Sequence, residues 1–378
     1  MTASRCRCCG HVELIDQLDV RDVPVENSRL PFTAQEARSV ARGDLLLREC
    51  RRCGFIQNDA FDPALVVYDA EYLADQSGSP FFRAFADRIV DELLGRVEQP
   101  QPTALEIGCG EGAFLERFCA ASGGAGIGVD PVAPDRSDGE LRFVPAEFGA
   151  GSGDFDADVV ICRHTLEHIA EVATFLRTLR SELESRPDCL VYLEVPDTGR
   201  ILREGAFWDL YYEHCSYFDE ASLRYLLAST GFEVVECRLD YADQYLVAFA
   251  RLGEPTEPPN GRDCSRSFAP VTEGLEEWRA WAEDRADAGS RVAVWAASSK
   301  AVSFLSMIDD ANVVVATDIN PDKAGRFLPG SATEVCAPDQ LADHEVDTVV
   351  VMNPVYLEEV RSSLSQLGLV VDTIGLGS

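Results

Sequence analysis

"TALEIGCGEGAFLERFCAA", Thr103–Ala121, joins an apolar strand, a glycine turn and a helical pattern without a break. The strand reads Thr103–Ile107, the turn Gly108–Gly112, and the residues that follow carry apolar side chains at helical spacing. In this order the three form a cradle for a small ligand at the carboxyl end of a strand. The spacing departs from the full G-x-G-x-x-G dinucleotide fingerprint, because an acid, Glu106, stands before G-x-G. A second strand, "GIGVD", ends about twenty residues later in Asp130, where a carboxylate can take both hydroxyls of a ribose. A generic dinucleotide fold with a coincidental acid is the competing reading.

Outward from this core the pattern continues. "ADVVICRH", Ala157–His164, reads as the next strand, and "TLEHI" followed by "AEVATFLRTLRSEL" as a helix that Glu167 and His168 open. "CLVYLEVPD", Cys189–Asp197, is a fifth strand, and "GFEVVECRL" with "YLVAFAR" suits a closing antiparallel pair. Between them lies "LYYEHCSYF", Leu210–Phe218, a loop ahead of the helix "DEASLRYLLAST", for which Asp219 is the candidate N-cap with Ser222 three residues on. Tyr211 to Tyr217 therefore fall near the carboxyl edge of the sheet, where ligands bind. His214 is one of five histidines in the chain. It adjoins Glu213, which does not give the i, i+4 pairing of a helical zinc site, so metal ligation is disfavoured there. A general base and a satisfied, half-buried histidine in an aromatic loop both remain open.

The 378 residues suggest two or three domains, and 46% hydrophobic content is ample for their cores. A formal charge of −32 argues against a nucleic-acid partner, which needs a cationic face. No apolar run approaches the ~18 residues of a membrane span. The start, "MTASRCRCCG", is polar and shows no signal segment, so a soluble, cytoplasmic protein is expected. Of 13 cysteines, Cys6, Cys8, Cys9, Cys50 and Cys53 crowd the first part of the chain. Cys6-x-x-Cys9-Gly and Cys50-x-x-Cys53-Gly are matching knuckles, and four thiolates suit a closed, structural Zn2+ site. Cys8 competes with Cys9, but the glycine after each pair favours Cys9. "HVELIDQLDV" and "LLLREC" between the knuckles read as short strands.

"RLGEPTEPPNGRD", Arg251–Asp263, reads as a linker. Beyond it, Leu275, Trp278 and Trp281 form a helical packing stripe, and strands alternate with helices to the end of the chain. That alternation predicts a second, Rossmann-like parallel α/β domain. Ser298, Ser299 and Lys300 stand at a strand-to-helix turn that suits a phosphate, or equally a plain N-cap with an exposed lysine. Arg326 or Lys323, in "DINPDKAGRFLPG", is placed to close over the same pocket. The expected divisions are residues 1–66, 67–252 and 262–378.

Residues 67 to 250, with E-x-G-C-G-x-G as their most specific run, resemble class I S-adenosylmethionine-dependent methyltransferases. The resemblance implies an α/β Rossmann-like core in which Glu106, Gly108, Cys109 and Gly110 hold the methionine part of S-adenosylmethionine. It places Asp130 and Pro131 at the ribose, Glu147 and Phe148 ("AEF") at the adenine, and Arg163 beside the cofactor. The order of the three parts, with "YYEHCSYF" and "NPDKAGRFLPG", closely resembles the bacterial sugar C-methyltransferases acting on nucleotide-diphosphate-linked keto-deoxysugars, of thymidine type. By that resemblance His214 is the base that removes a proton α to the ketone, Glu213 and Tyr211 stand beside it, and His168 stabilises the enolate. Tyr72 faces the substrate, and Ser298, Ser299, Lys300 and Arg326 bind its anion. One departure is Ala301, where related chains carry glycine after the lysine. An O- or N-methyl transfer on another acceptor, and a non-enzymatic protein that only binds the cofactor, are the rival expectations.

Overall fold

The computed structural model describes residues 4–67, 78–149, 155–256, 266–308 and 312–377. An eight-stranded sheet runs Phe232–Asp240, Tyr245–Leu252, Leu190–Pro196, Val159–Arg163, Ala104–Ile107, Gly126–Asp130, Leu141–Pro145 and Ser137–Asp138. From Leu190–Pro196 through Leu141–Pro145 the strands are mutually parallel, and the outer ones are antiparallel. Ala104–Ile107 and Val159–Arg163 are buried along their whole length. Strands covered on both faces must be continuously apolar, and these sequences are, apart from Glu106 and Arg163. Strand order reverses between these two, so the glycine turn and the end of "VVICRH" open on the same crevice. This is the class I methyltransferase arrangement.

The amino-terminal sheet is antiparallel: Leu14–Pro24, Arg42–Cys50, Ile56–Asn58 and Ser216–Tyr217. Its last strand comes from the middle of the "LYYEHCSYF" loop, with Ser216 opposite Gln57 and Tyr217 opposite Ile56. The contact is tight. A Cβ on Gly43 would fall 2.3 Å from the Tyr212 ring, so glycine alone allows the ring to lie on that strand. The Tyr212 hydroxyl accepts the Asp62 amide at 2.9 Å. The first strand begins at Leu14, three residues later than "HVELIDQLDV" suggests.

The carboxyl-terminal sheet is parallel throughout, in the order Val335–Cys336, Val313–Thr317, Val292–Trp295, Thr348–Val351 and Asp372–Gly375. The tryptophan stripe lies on the helix Ala269–Asp287 and packs: Trp278 meets Phe304 at 5.1 Å and Trp208 at 6.5 Å between ring centroids. Phe207 and Trp208 belong to the methyltransferase core, so this helix joins the two parts. No helix among the described residues is long and apolar enough to cross a membrane.

Glu167 and His168 do not open a long helix. They stand in a separate 3-10 turn, Leu166–His168, because Ile169 is extended, and the helix proper is Val172–Glu182. The helix Glu220–Thr230 begins as its sequence suggests. Asp219 Oδ1 accepts the Ser222 amide at 2.8 Å, and Ser222 Oγ accepts the Asp219 amide at 3.1 Å. Asp219→Ala should therefore cost about 1 kcal/mol in a urea unfolding series, with Asp219→Asn losing much less. Equal losses in the two variants would assign the effect to the Asp219–Arg266 ion pair at 2.7 Å instead.

Candidate active site

The glycine turn is tied to the neighbouring strand through a carboxylate. Asp130 Oδ2 accepts the Gly110 amide at 3.0 Å, and Oδ1 accepts Val132 N at 2.9 Å. Gly108 has φ +76°, and a Cβ there would stand 1.8 Å from Thr165 Oγ1. Both the backbone angle and the approach of Thr165 require glycine. Glu106 lies beneath the turn, buried, and its Oε2 has no hydrogen-bond partner among the described residues. Burial pushes its carboxyl up to about 8, against the pull of Arg163. An orphaned carboxylate oxygen under a glycine turn suits a ligand ammonium group. Cys109 is buried beside the turn, Pro131 and Glu147 are exposed, and Phe148 packs half-buried against Phe175 and Phe155 at 5.7 and 6.0 Å. Arg163 faces inward. Its guanidinium bonds Glu194 at 2.9 and 3.2 Å and lies 4.1 Å over the Phe114 ring, so its donors serve protein groups.

The fold brings two histidines together across the chain. The rings of His168 and His214 meet edge-on at 4.8 Å, and Tyr211 covers His214 at 4.6 Å. Burial, reinforced by the neighbouring His168 imidazole, holds His214 well below its ordinary value, so it is neutral at pH 7. The Tyr211 hydroxyl donates to Asp209 Oδ1 at 2.8 Å. Asp209 also receives Arg200 and Lys300, and despite burial these cations keep it ionised. Glu213 Oε1 accepts the Asn27 amide at 2.6 Å, which anchors the amino-terminal segment. Tyr72 lies outside the described residues.

The turn expected to bind a substrate anion is built differently. Lys300 is paired with Asp209 in the interior, and Ser299 Oγ meets Ser28 Oγ at 3.1 Å. Ser298 is the N-cap residue of Ser299–Met307 but makes no side-chain cap bond. Arg326 donates to the carbonyls of Asp322 and Leu30 at 2.9 and 3.2 Å and lies 4.2 Å over Phe32. Lys323 is buried on Asp318 and the Ala297 carbonyl, at 3.1 and 2.9 Å. Lys300, Ser299 and Arg326 thus join the carboxyl-terminal part to the rest of the chain, while Lys323 is held within it.

Sequence reasoning missed His164. It sits at φ +48°, with Nε2 2.8 Å from Glu194 in an ion-pair contact and Nδ1 3.5 Å from Glu167. Burial alone would lower its pKa, but hydrogen bonds to Glu167 and Glu194 raise it to about 9. The signal was available as Glu194, a carboxylate in an otherwise apolar strand. At the amino-terminal end, the thiols of Cys6, Cys9, Cys50 and Cys53 lie within 4.8 Å of one another, with Cys6–Cys53 at 3.5 Å and Cys9–Cys50 at 3.6 Å. Cys8 is buried but outside that set. Four converging thiols have the donor type and spacing for one tetrahedral ion.

Residues 79–237 match the methyltransferase domain family, and residues 266–369 match the C-methyltransferase C-terminal domain. The protein is an S-adenosylmethionine-dependent methyltransferase. It is 26% identical to the C-methyltransferase NovU of Streptomyces niveus, across 94% of this chain and 90% of that one. Among solved structures it is similar to the 1,6-didemethyltoxoflavin-N1-methyltransferase of Burkholderia thailandensis, at 24% identity over 47% of this chain and 80% of that one, with a TM-score of 0.37. A second is the magnesium protoporphyrin IX methyltransferase of Synechocystis PCC 6803, at 17% identity over 46% and 84%, with a TM-score of 0.36.

Glu106 gives the methyltransferase a readable pH signature. Between about 4.5, its ordinary value, and about 8, the folded protein keeps a proton that the unfolded chain releases. Stability contributed by this group therefore falls as pH rises through that window, and its cost is complete above it. Glu106→Gln should raise the melting temperature of the cofactor-free protein at pH 8 and lose the advantage near pH 4.5, while weakening S-adenosylmethionine binding at least tenfold. Differential scanning calorimetry and titration calorimetry read the two effects. A pH-independent change in melting temperature would contradict the assigned protonation.

Proposed function

We propose that this methyltransferase adds a methyl group to the carbon next to the ketone of a nucleotide-diphosphate-linked keto-deoxysugar. The observation that carries the reading is the neutral, buried His214 set against His168 and Tyr211 at the carboxyl edge of the sheet. The C-methyltransferase C-terminal domain and the likeness to NovU favour carbon as the acceptor atom. The sugar class rests on the resemblance of the whole chain.

S-adenosylmethionine, when bound, supplies an electrophilic methyl on sulfur. Glu106 takes its ammonium end, Asp130 its ribose, and Phe148 its adenine. His214 removes the α-proton, and the C–H pair moves into the ring to form an enolate. His168 donates a hydrogen bond to the enolate oxygen. The enolate carbon would be the nucleophile toward the methyl that bound S-adenosylmethionine would supply, its sulfur keeping the bonding pair, and His214 would release the proton to solvent. A positioned base contributes ~10²–10⁴-fold, and an oxyanion donor adds further. Asp209 acts through Tyr211, holding its hydroxyl and so its ring against the imidazole.

In deuterated water, a nucleotide keto-sugar should take up deuterium at the α-carbon, and His214→Ala should slow that uptake by at least 100-fold while still binding cofactor. Methyl transfer without any exchange would move the assignment to a hydroxyl or amine acceptor.

The four-cysteine cluster holds a structural Zn2+ in this reading, with no open position for chemistry. Metal analysis of protein purified without chelators should give one zinc per chain, and Cys50→Ser should lose it. Proteolysis after chelation should begin within residues 1 to about 60. Metal-free protein of unchanged stability would remove the site.

A further inference from the structure

The adjacency of Glu213 and His214 argues against a metal at that histidine, but the folded chain supplies different neighbours. Glu167, His168 and His214 each offer a ligand atom within 4.8 Å of the other two. Glu167 is 2% exposed. It shares Oε1 with His164 at 3.5 Å, while its Oε2 is buried with no hydrogen-bond partner among the described residues. A buried carboxylate oxygen left without a donor is costly unless something fills the space.

We propose that Glu167, His168 and His214 form a second, exchangeable divalent-metal site, separate from the four cysteines and overlapping the methyl-transfer centre. Two imidazoles and one carboxylate select a borderline ion such as Zn2+, Co2+ or Ni2+, whereas Mg2+ and Ca2+ prefer oxygen-only shells. Ligand atoms about 2.1 Å from a tetrahedral ion stand roughly 3.4 Å apart, so side-chain adjustments of about 1 Å complete the set. Glu167 and His168 belong to one short turn, and His214 is delivered by the loop that pairs with the amino-terminal sheet. The backbone fixes this meeting as well, since the Cys215 amide donates to the Glu167 carbonyl at 2.9 Å. With three protein ligands the ion keeps an open position for water.

The consequence rests on His214 being the base. An ion on its imidazole takes the lone pair that would accept the α-proton, so occupancy stops the reaction. The site is thus an inhibitory one, sensitive to free transition metal.

The full chain, with its cysteine cluster zinc-filled, is titrated with Co2+. One equivalent should bind with visible d–d absorption and without thiolate-to-metal charge transfer. Glu167→Gln should weaken that binding at least tenfold. His168→Asn, a second variant, should do the same if the first folds poorly. Absence of the band, a band of thiolate character only, or unchanged affinity in both variants overturns the site. In the second arm, Zn2+ should suppress α-hydrogen exchange in proportion to occupancy. Binding without suppression overturns the inhibition and shows that His214 is not the base, while the cobalt result still stands for the site. Exchange that is absent before any metal is added sinks the enolate reading alone.

Discussion

Asp209 is the group on which the centre of the molecule depends. One buried carboxylate receives Arg200 from the preceding helix, Lys300 from the carboxyl-terminal part and the Tyr211 hydroxyl from the histidine loop. Three segments far apart in sequence thus share one charge. Removing one member of a buried ion pair costs ~3–5 kcal/mol, because the partners stay behind unpaired. The cluster also fixes orientation. Tyr211 cannot rotate away from Asp209 without losing its bond, and its ring is the wall against which His214 rests. Lys300, from the carboxyl-terminal part, is thus one of the three groups that hold this carboxylate.

Two histidines separated by one carboxylate show how the same residue type is set to opposite states. His164 lies between Glu194 and Glu167 and is held protonated, with its pKa raised to about 9. His214 is held neutral chiefly by burial, with His168, His164 and Lys300 nearby outweighing the opposing pull of Asp209. Environments that push titratable groups apart in this way divide acid and base roles within one cavity. Arg163 completes the set, donating to both oxygens of Glu194, one of which His164 also contacts.

Much of this architecture was legible in the sequence, and its limits have a common cause. The strand at Ala104–Ile107, the glycine turn, Asp130 and the Asp219 cap are all written in residues a few positions apart. Local periodicity and turn chemistry suffice for them. The four cysteines were readable because each knuckle is local and only their union is distant. What escaped depends on partners far along the chain: Ser216–Tyr217 pairing with Ile56–Asn58, Lys300 meeting Asp209, Glu213 reaching Asn27. No pattern within either segment reports the other. The nearness of Glu167 to the two imidazoles is of the same kind, since the adjacency of Glu213 and His214 says nothing of a carboxylate that comes from another turn.

The pairing of Ser216–Tyr217 with the amino-terminal sheet also links two places that chemistry alone would keep apart. Cys50 ends the strand Arg42–Cys50, and Cys53 precedes Ile56–Asn58, the strand that holds Ser216 and Tyr217. The thiol cluster thus sits at the turn of the hairpin whose second strand carries the histidine loop. Cys6 and Cys53 lie in one apolar cluster with Phe55 and Phe218, and those two rings meet at 5.4 Å. A metal on the four thiols would fix the register of that hairpin, the hairpin fixes the loop, and the loop sets His214 against His168. Such an ion, without touching substrate, would bear on the site through geometry. The cysteine cluster and the histidine pair thus meet through the same nine-residue stretch, Leu210–Phe218.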